Sequence, residues 1–298
     1  MKHTLKITLL LVFIFLITQV IGLSITNEYI DHQKTIETKK VTFEALPYNL
    51  ERPQIEESTS YIWIIAAILI GTILLLILMK FRKMNLWKLW FFIAVFSTMA
   101  IAFSAFIPQT IAAILALTLA LIKIYRPTTL TQNLTEIFIY GGLAAIFVPV
   151  VNIFAAFMLL ILISIYDIIA VRHTKHMIKL AKFQTKSKVF AGLLIPYERK
   201  KGNVKEKGII EKKGVGKIAV LGGGDIGFPL IFAGVVMKDL MLKNPELIGF
   251  LKTLIIPLFV SFALLYLLTT AKKDKFYPAM PYLTVGCFIG YFVVLLLF

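Results

Sequence analysis

Residues 219–228 read AVLGGGDIGF, and this stretch fits two motifs with unrelated chemistry. Gly222, Gly224 and Gly227 form a G-x-G-x-x-G, the spacing of a loop that cradles a dinucleotide pyrophosphate. Centred instead on Asp225, the stretch is a carboxylate set among small residues at the head of a long apolar run. The solvent around it decides between them. Hydrophobic residues make up 59% of the 298-residue chain, against about 45–50% in soluble domains. Apolar runs of about 20 residues, enough to cross roughly 30 Å of hydrocarbon, recur along its whole length. They fall near 5–25, 61–79, 89–107, 109–125, 134–150, 151–171, 218–237, 248–270 and 278–298. The fold expected is all-α and polytopic, with about nine transmembrane helices; the divisions at Pro108 and near Asn152 leave almost no connection.

The net charge of +16 is placed as a membrane protein places it. With the N-terminus cytoplasmic, the tail, 80–88, the link around Lys123 and Arg126, 172–217 and 271–277 carry 25 of the 32 Lys and Arg. The opposite side carries seven, and its 26–60 loop holds seven acids. That asymmetry follows the positive-inside rule, so the basic balance sets topology and no nucleic acid is expected as a partner. The expected location is the cell membrane, with the N-terminus and the 172–217 loop cytoplasmic and the C-terminus outside. The first span is expected to be retained, because no small-residue cleavage site follows it. Cys287 is the sole cysteine, which rules out an intramolecular disulfide and a cysteine-based metal site.

Three parts are expected. Residues 1–171 form a six-helix part, 172–217 a basic loop, and 218–298 a three-helix part. The loop opens with VRHTKHMIKLAKF (171–183), which reads as an amphipathic helix along the membrane surface. Residues 26–60 form the one sizeable outer segment, polar, mixed in charge and partly ordered.

Acids inside hydrocarbon are expensive and functional by default. Of sixteen, only Asp167 and Asp225 lie well within the expected spans. Glu136, at the start of span five, reads as interfacial. Asp167 precedes Arg172 by five residues and Asp225 follows Lys217 by eight. Both therefore lie about 7–12 Å inside the cytoplasmic edge of consecutive antiparallel spans. If these spans are neighbours, the carboxyls meet. Two such groups in a low-dielectric site share one proton, leaving one base to activate water and one acid to protonate a carbonyl or leaving amine. The three glycines, 222 to 224, free the helix start, and Pro229 interrupts the helix one turn later. Two intramembrane aspartates with a broken helix equally describe a proton- or cation-coupled transporter. The residues alone leave both readings open. The dinucleotide reading fares worse, because Glu246, the acid at a tolerable spacing, sits in the polar link KNPELIGF (243–250).

Three motifs then fall in order: Tyr166-Asp167, Gly222-Gly223-Gly224-Asp225 and Pro278-Ala279-Met280-Pro281. Together they resemble the presenilin and signal peptide peptidase family of GxGD intramembrane aspartyl proteases, over essentially the whole chain. The resemblance implies that Asp167 and Asp225 are a catalytic pair, and that Tyr166, the three glycines and Pro278 to Pro281 shape the substrate site. It also implies transmembrane-helix substrates within the lipid bilayer, no cofactor and no metal, and it leaves room for a homo-oligomer. Met280 replaces the family's leucine, an apolar residue of similar size. The basic 172–217 loop selects the presenilin-like orientation over the inverted one. Type IV prepilin peptidases share the GxGD aspartate but give no reason for the proline motif. A substrate helix must unwind before its peptide bonds can be reached, and GVGKIAVL (214–221) could lend it a strand edge.

Other polar residues read as ordinary. His173 and His176 read as interfacial; Lys123, Lys252, Trp63, Trp87 and Trp90 as snorkelling or interfacial anchors. The sequon at Asn133-Leu134-Thr135 is discounted because it faces the cytoplasm.

Overall fold

A computed structural model describes residues 4–81, 83–174, 189–196, 218–271 and 277–297. Residues 175–183 of the amphipathic start of the basic loop, His176 included, lie outside the described residues. Eleven helices and one β-ribbon make up the described chain. The helices are α1 (Leu5–Glu28), α2 (His32–Thr38), α3 (Ser60–Lys80), α4 (Met84–Ser104), α5 (Gln109–Tyr125), α6 (Thr129–Phe147), α7 (Ile153–Ile168), α8 (Gly223–Met241), α9 (Glu246–Thr253), α10 (Ile255–Thr270) and α11 (Met280–Leu297).

The breaks have local causes. Pro108 stands at the N-terminal boundary of α5. Thr128 and Thr131 cap the start of α6 reciprocally. Pro149 sits in the 3₁₀ turn that ends α6, and the Asn152 side chain accepts from the Ala155 N–H at 2.8 Å to start α7. The connections expected to be almost absent at Pro108 and Asn152 are these caps. Pro257 lacks the N–H that would bond Thr253, and the boundary between α9 and α10 falls there.

Among the described residues, seven stretches are long and apolar enough to cross a membrane, one of them Glu246–Thr270, which joins α9 and α10. Helix α5 has 17 residues and is shorter than these. Helix α8 stands outside the seven, since it carries Asp225, Lys238 and Asp239. Composition thus establishes a multi-pass membrane protein.

Helix α1 lies at the centre, packed on α6, α8 and α10. Between helices in a bilayer there is no water to expel, so close backbone approach and internal hydrogen bonds hold the bundle. The α4–α6 crossing shows the approach: a Cβ on Gly142 would stand 1.9 Å from the Thr98 carbonyl oxygen. Helix α5 turns a stripe of Ala112, Ala116 and Ala120 against Val95, Met99 and Phe103 of α4. Helix α3 is the exception, with only 6% of its apolar window buried against 39–50% in the other six. Within residues 26–60, α2 and a turn at Pro47–Asn49 are ordered, and Asn27 and Lys238 reach Glu246 and Glu57. Trp63 and Trp90 are exposed, whereas Trp87 is buried beside Phe91 and is a core residue rather than an interfacial anchor.

The all-α expectation needs one correction. Strands β1 (Gly192–Pro196) and β2 (Ile218–Gly222) pair antiparallel, with Gly192 opposite Gly222 and Leu194 opposite Val220. The three-helix part expected from residue 218 therefore opens with a strand. Its β-branched Ile218 and Val220 favour extended backbone, and the glycines that follow are poor helix formers, so the helix starts only at Gly223. Leu193, Ile195, Ala219 and Leu221 point into the core, while Val220 is 47% exposed, the alternation of a half-buried ribbon.

Gly142→Ala is expected to destabilise the protein by about 1–3 kcal/mol through overpacking against backbone. Gly71→Ala, where an added Cβ meets nothing within 4 Å, should leave the thermal midpoint in detergent unchanged or slightly raised.

Candidate active site

Asp167 lies in the last turn of α7, which continues as one π-helical turn over Ile169–His173. Its side chain is 7% exposed. The N-terminus of α11 faces it: the Met280 N–H donates to Asp167 Oδ2 at 3.1 Å, and the Ala279 N–H also serves this carboxyl. Pro278 and Met280 are buried beside it. The proline motif thus acts on Asp167 through backbone, at a helix end whose dipole favours negative charge. One turn further in, Ser164 and Thr284 bond at 2.8 Å and tie α7 to α11.

Asp225 is the third residue of α8, with Gly222 as the N-cap. Its carboxyl reaches back to the Gly222 N–H, as an acid in that position of a helix does. The helix expected from residue 218 begins five residues later, so Asp225 sits in the first turn instead of two turns deep. Asp167 and Asp225 come close enough for their charges to act on each other. Both carboxyls meet helix N-termini, and α7 packs on α8.

The other expected site residues divide. The Gly223 N–H donates to the Ala191 carbonyl at 3.2 Å, carrying the ribbon's pairing into the helix start. Gly224 is exposed. Pro229 is buried within α8, and the Gln19 side chain of α1 donates to the nearby Ile226 carbonyl at 2.9 Å. The Tyr166 hydroxyl meets Thr72 of α3 at 3.1 Å, binding α7 to the loosely packed helix. Pro281 lines a groove between α10 and α11 together with Phe259, Phe262, Tyr266 and Tyr282.

Glu136 and Lys123 are not interfacial. They are 1% and 2% exposed and form an ion pair at 2.6 Å. Lys123 Nζ also donates to Gln132 Oε1 at 3.1 Å and Thr135 Oγ1 at 2.9 Å, so its three protons have three acceptors. The other Glu136 oxygen accepts from the Tyr140 hydroxyl. Gln132 Nε2 reaches the Phe190 and Gly192 carbonyls at 2.8 and 2.9 Å. Asn133, set aside as an unused sequon, takes both the N–H and the C=O of Leu194 at 2.9 Å. The missed signal was legible: Gln132, Glu136 and Tyr140 recur every four residues along one face of α6, opposite a lysine in α5.

Local order around Asp225 is strand, glycines, helix, the same order as in the dinucleotide motif. The strand, however, pairs antiparallel in a two-stranded ribbon, and Glu246 is bonded to Asn27 beyond the far end of α8. No βαβ unit stands here among the described residues.

The sequence profile described as "Signal-peptide peptidase, presenilin aspartyl protease" matches residues 12–298. The chain belongs to this family. It is an intramembrane protease of the aspartyl type, which decides between the two chemistries that paired aspartates allow. Two solved structures, each titled a presenilin family intramembrane aspartate protease, one in space group C222 and one in P2, share its fold. Both align with a TM-score of 0.62 at 19% identity; the first covers 98% of this chain and 99% of its own, the second 97% of each. No curated protein sequence matches.

Removing one partner of a buried pair strands the other charge. Lys123→Ala should therefore cost about 3–5 kcal/mol of stability. Lys123→Met with Glu136→Leu should recover most of it, as thermal unfolding in detergent will read.

Proposed function

We propose that Asp167 and Asp225 form the catalytic dyad of this presenilin-family protease and cleave peptide bonds of transmembrane-helix substrates near the cytoplasmic face. The observation that carries this is that packed helices α7 and α8 bring the two carboxyls within electrostatic reach of each other, each at a helix end. The pair holds one proton between its members. The ionised member takes a proton from water as the water oxygen attacks the scissile carbonyl carbon; the protonated member gives its proton to the carbonyl oxygen. Collapse of the tetrahedral intermediate breaks the C–N bond: the amine leaves with the proton taken from water, while a hydroxyl of the intermediate returns its proton to the other aspartate as the carbonyl re-forms, which restores the singly protonated pair. Neither a side-chain nucleophile nor a metal has a part in this sequence.

The β-ribbon supports a way of presenting substrate. Asn133 consumes both the N–H and the C=O of Leu194, so these groups face away from β2. In an antiparallel pair the opposite residue then turns its own two groups away from β1. Val220 accordingly offers an N–H and a C=O at the outer edge of β2, five residues before Asp225. An unwound substrate strand laid on that edge has its hydrogen bonds met at membrane depth. Helix α3, joined to α7 beside Asp167 yet little buried, is the bundle member displaced at least packing cost.

In this reading α5 and α8 also cross the bilayer, giving nine spans in a six-plus-three division around the basic 172–217 loop. The N-terminus and that loop face the cytoplasm, the C-terminus faces outside, and the protein resides in the cell membrane.

Purified protein should cleave a single-span substrate in detergent. Asp167→Ala and Asp225→Ala should each lower the rate by about a thousandfold or more, the scale of lost acid–base catalysis. Cleavage that survives the double replacement would refute the dyad. Val220→Pro removes the outward N–H while sparing the ladder bonds to β1, and should raise KM by about two- to tenfold, the worth of one hydrogen bond, with kcat little changed.

A further inference from the structure

We propose that Tyr140 is a positioning residue for Asp225, and that the buried Lys123–Glu136 pair exists to hold it. This rests on the reading of Asp225 as one of the dyad. The Tyr140 side chain is 4% exposed and lies along the first turn of α8. Its hydroxyl would stand 2.6 Å from a Cβ at Gly223, with two ring carbons at 3.3 Å. The ring's Cδ1 would stand 3.6 Å from a Cβ at Gly227. Residues 223 and 227 are four apart, so the ring spans the turn that contains Asp225, and the hydroxyl is within electrostatic reach of that carboxyl. Only a glycine at 223 lets the hydroxyl seat there.

The hydroxyl is aimed by its donation to Glu136, and Glu136 is in turn fixed by Lys123. A buried ion pair is a poor source of stability, because desolvation offsets most of its attraction and an apolar pair of similar size serves as well. Its placement gives it another use. Two arms leave the pair, and both end beside Asp225. One runs through Gln132 to the Phe190 and Gly192 carbonyls, hence to β1, whose Gly192 lies opposite Gly222. The other runs through Tyr140 to Gly223. Together they fix where the strand stops and the helix begins, which is what sets the position of a carboxyl in the first turn. The residue at the middle of the GxGD motif is in this chain locked by a side chain from α6.

The test is a mutant cycle on the purified full-length protein in detergent with a single-span substrate, reading kcat, KM and thermal midpoint for Tyr140→Phe, Gly223→Ala and the double variant. Tyr140→Phe should lower kcat by about ten- to a hundredfold with KM within about twofold, the split expected when a carboxyl is misplaced and not when binding is lost. Gly223→Ala should lower kcat about tenfold or more beyond Tyr140→Phe, because its methyl collides with the hydroxyl and displaces the turn that carries Asp225. The double variant should be at least about tenfold faster than Gly223→Ala alone, since loss of the hydroxyl leaves only ring carbons at contact distance. A Tyr140→Phe enzyme with the parent's kcat, a kcat loss matched by a fall in thermal midpoint that marks general destabilisation, or a double variant no better than Gly223→Ala would each overturn the proposal. A parent without Asp167- and Asp225-dependent cleavage would instead remove the reading on which it stands.

Discussion

Extended backbone at membrane depth survives only where other groups take its hydrogen bonds, because hydrocarbon offers none. The β-ribbon of this protease meets that constraint with unusual side chains. Helix α6 gives it Asn133, which serves both backbone groups of Leu194, and Gln132, which serves two more carbonyls before and at the start of β1. Gly192, at a φ of +138°, lets the chain pass within contact of Leu221 where no side chain would fit. With β1 satisfied on both sides, the unspent groups are pushed to the far edge of β2. That edge is where the proposed substrate strand is laid.

The same economy governs charge. Carboxyls inside hydrocarbon need donors, and the bundle supplies them from helix ends: α11 at Asp167, the head of α8 at Asp225. These donors are backbone groups, so substitutions in the proline motif act on the carboxyl only by moving the chain. That accounts for the tolerance of Met280, whose side chain enters the core beside Leu283 and Cys287 while its N–H holds Asp167.

Much of this was legible in the sequence. Apolar runs and basic links showed a multi-pass helical protein, and the prolines and Asn152 marked where helices end. The two aspartates stood out because charge is rare in such spans. What escaped was polar satisfaction inside the bundle. Lys123 and Glu136 look interfacial when each span is read alone, since both lie near span ends; only the α5–α6 pairing shows that they face each other. Asn133 has no periodic signature, because its partner is backbone more than sixty residues away. The strand at 218–222 was half visible: its β-branched residues and glycines suggested an edge, yet its apolar run also extended the next span, and length alone favoured the helix.

The glycines at 222–224 then answer to three different demands. Gly222 caps α8 and gives its N–H to Asp225; a Cβ there would stand 3.2 Å from Oδ2. Gly223 is hemmed in by Tyr140 on the protein side. Gly224 is exposed and would touch only Phe228 of its own helix, at 3.3 Å. One glycine fits the carboxyl, one the scaffold behind it, and one leaves the front open. Gly222 and Gly224, whose G-x-G spacing elsewhere makes room for pyrophosphate, here make room for a carboxyl and an open front, and it is hydrocarbon, by excluding the charged ligand, that changes their meaning.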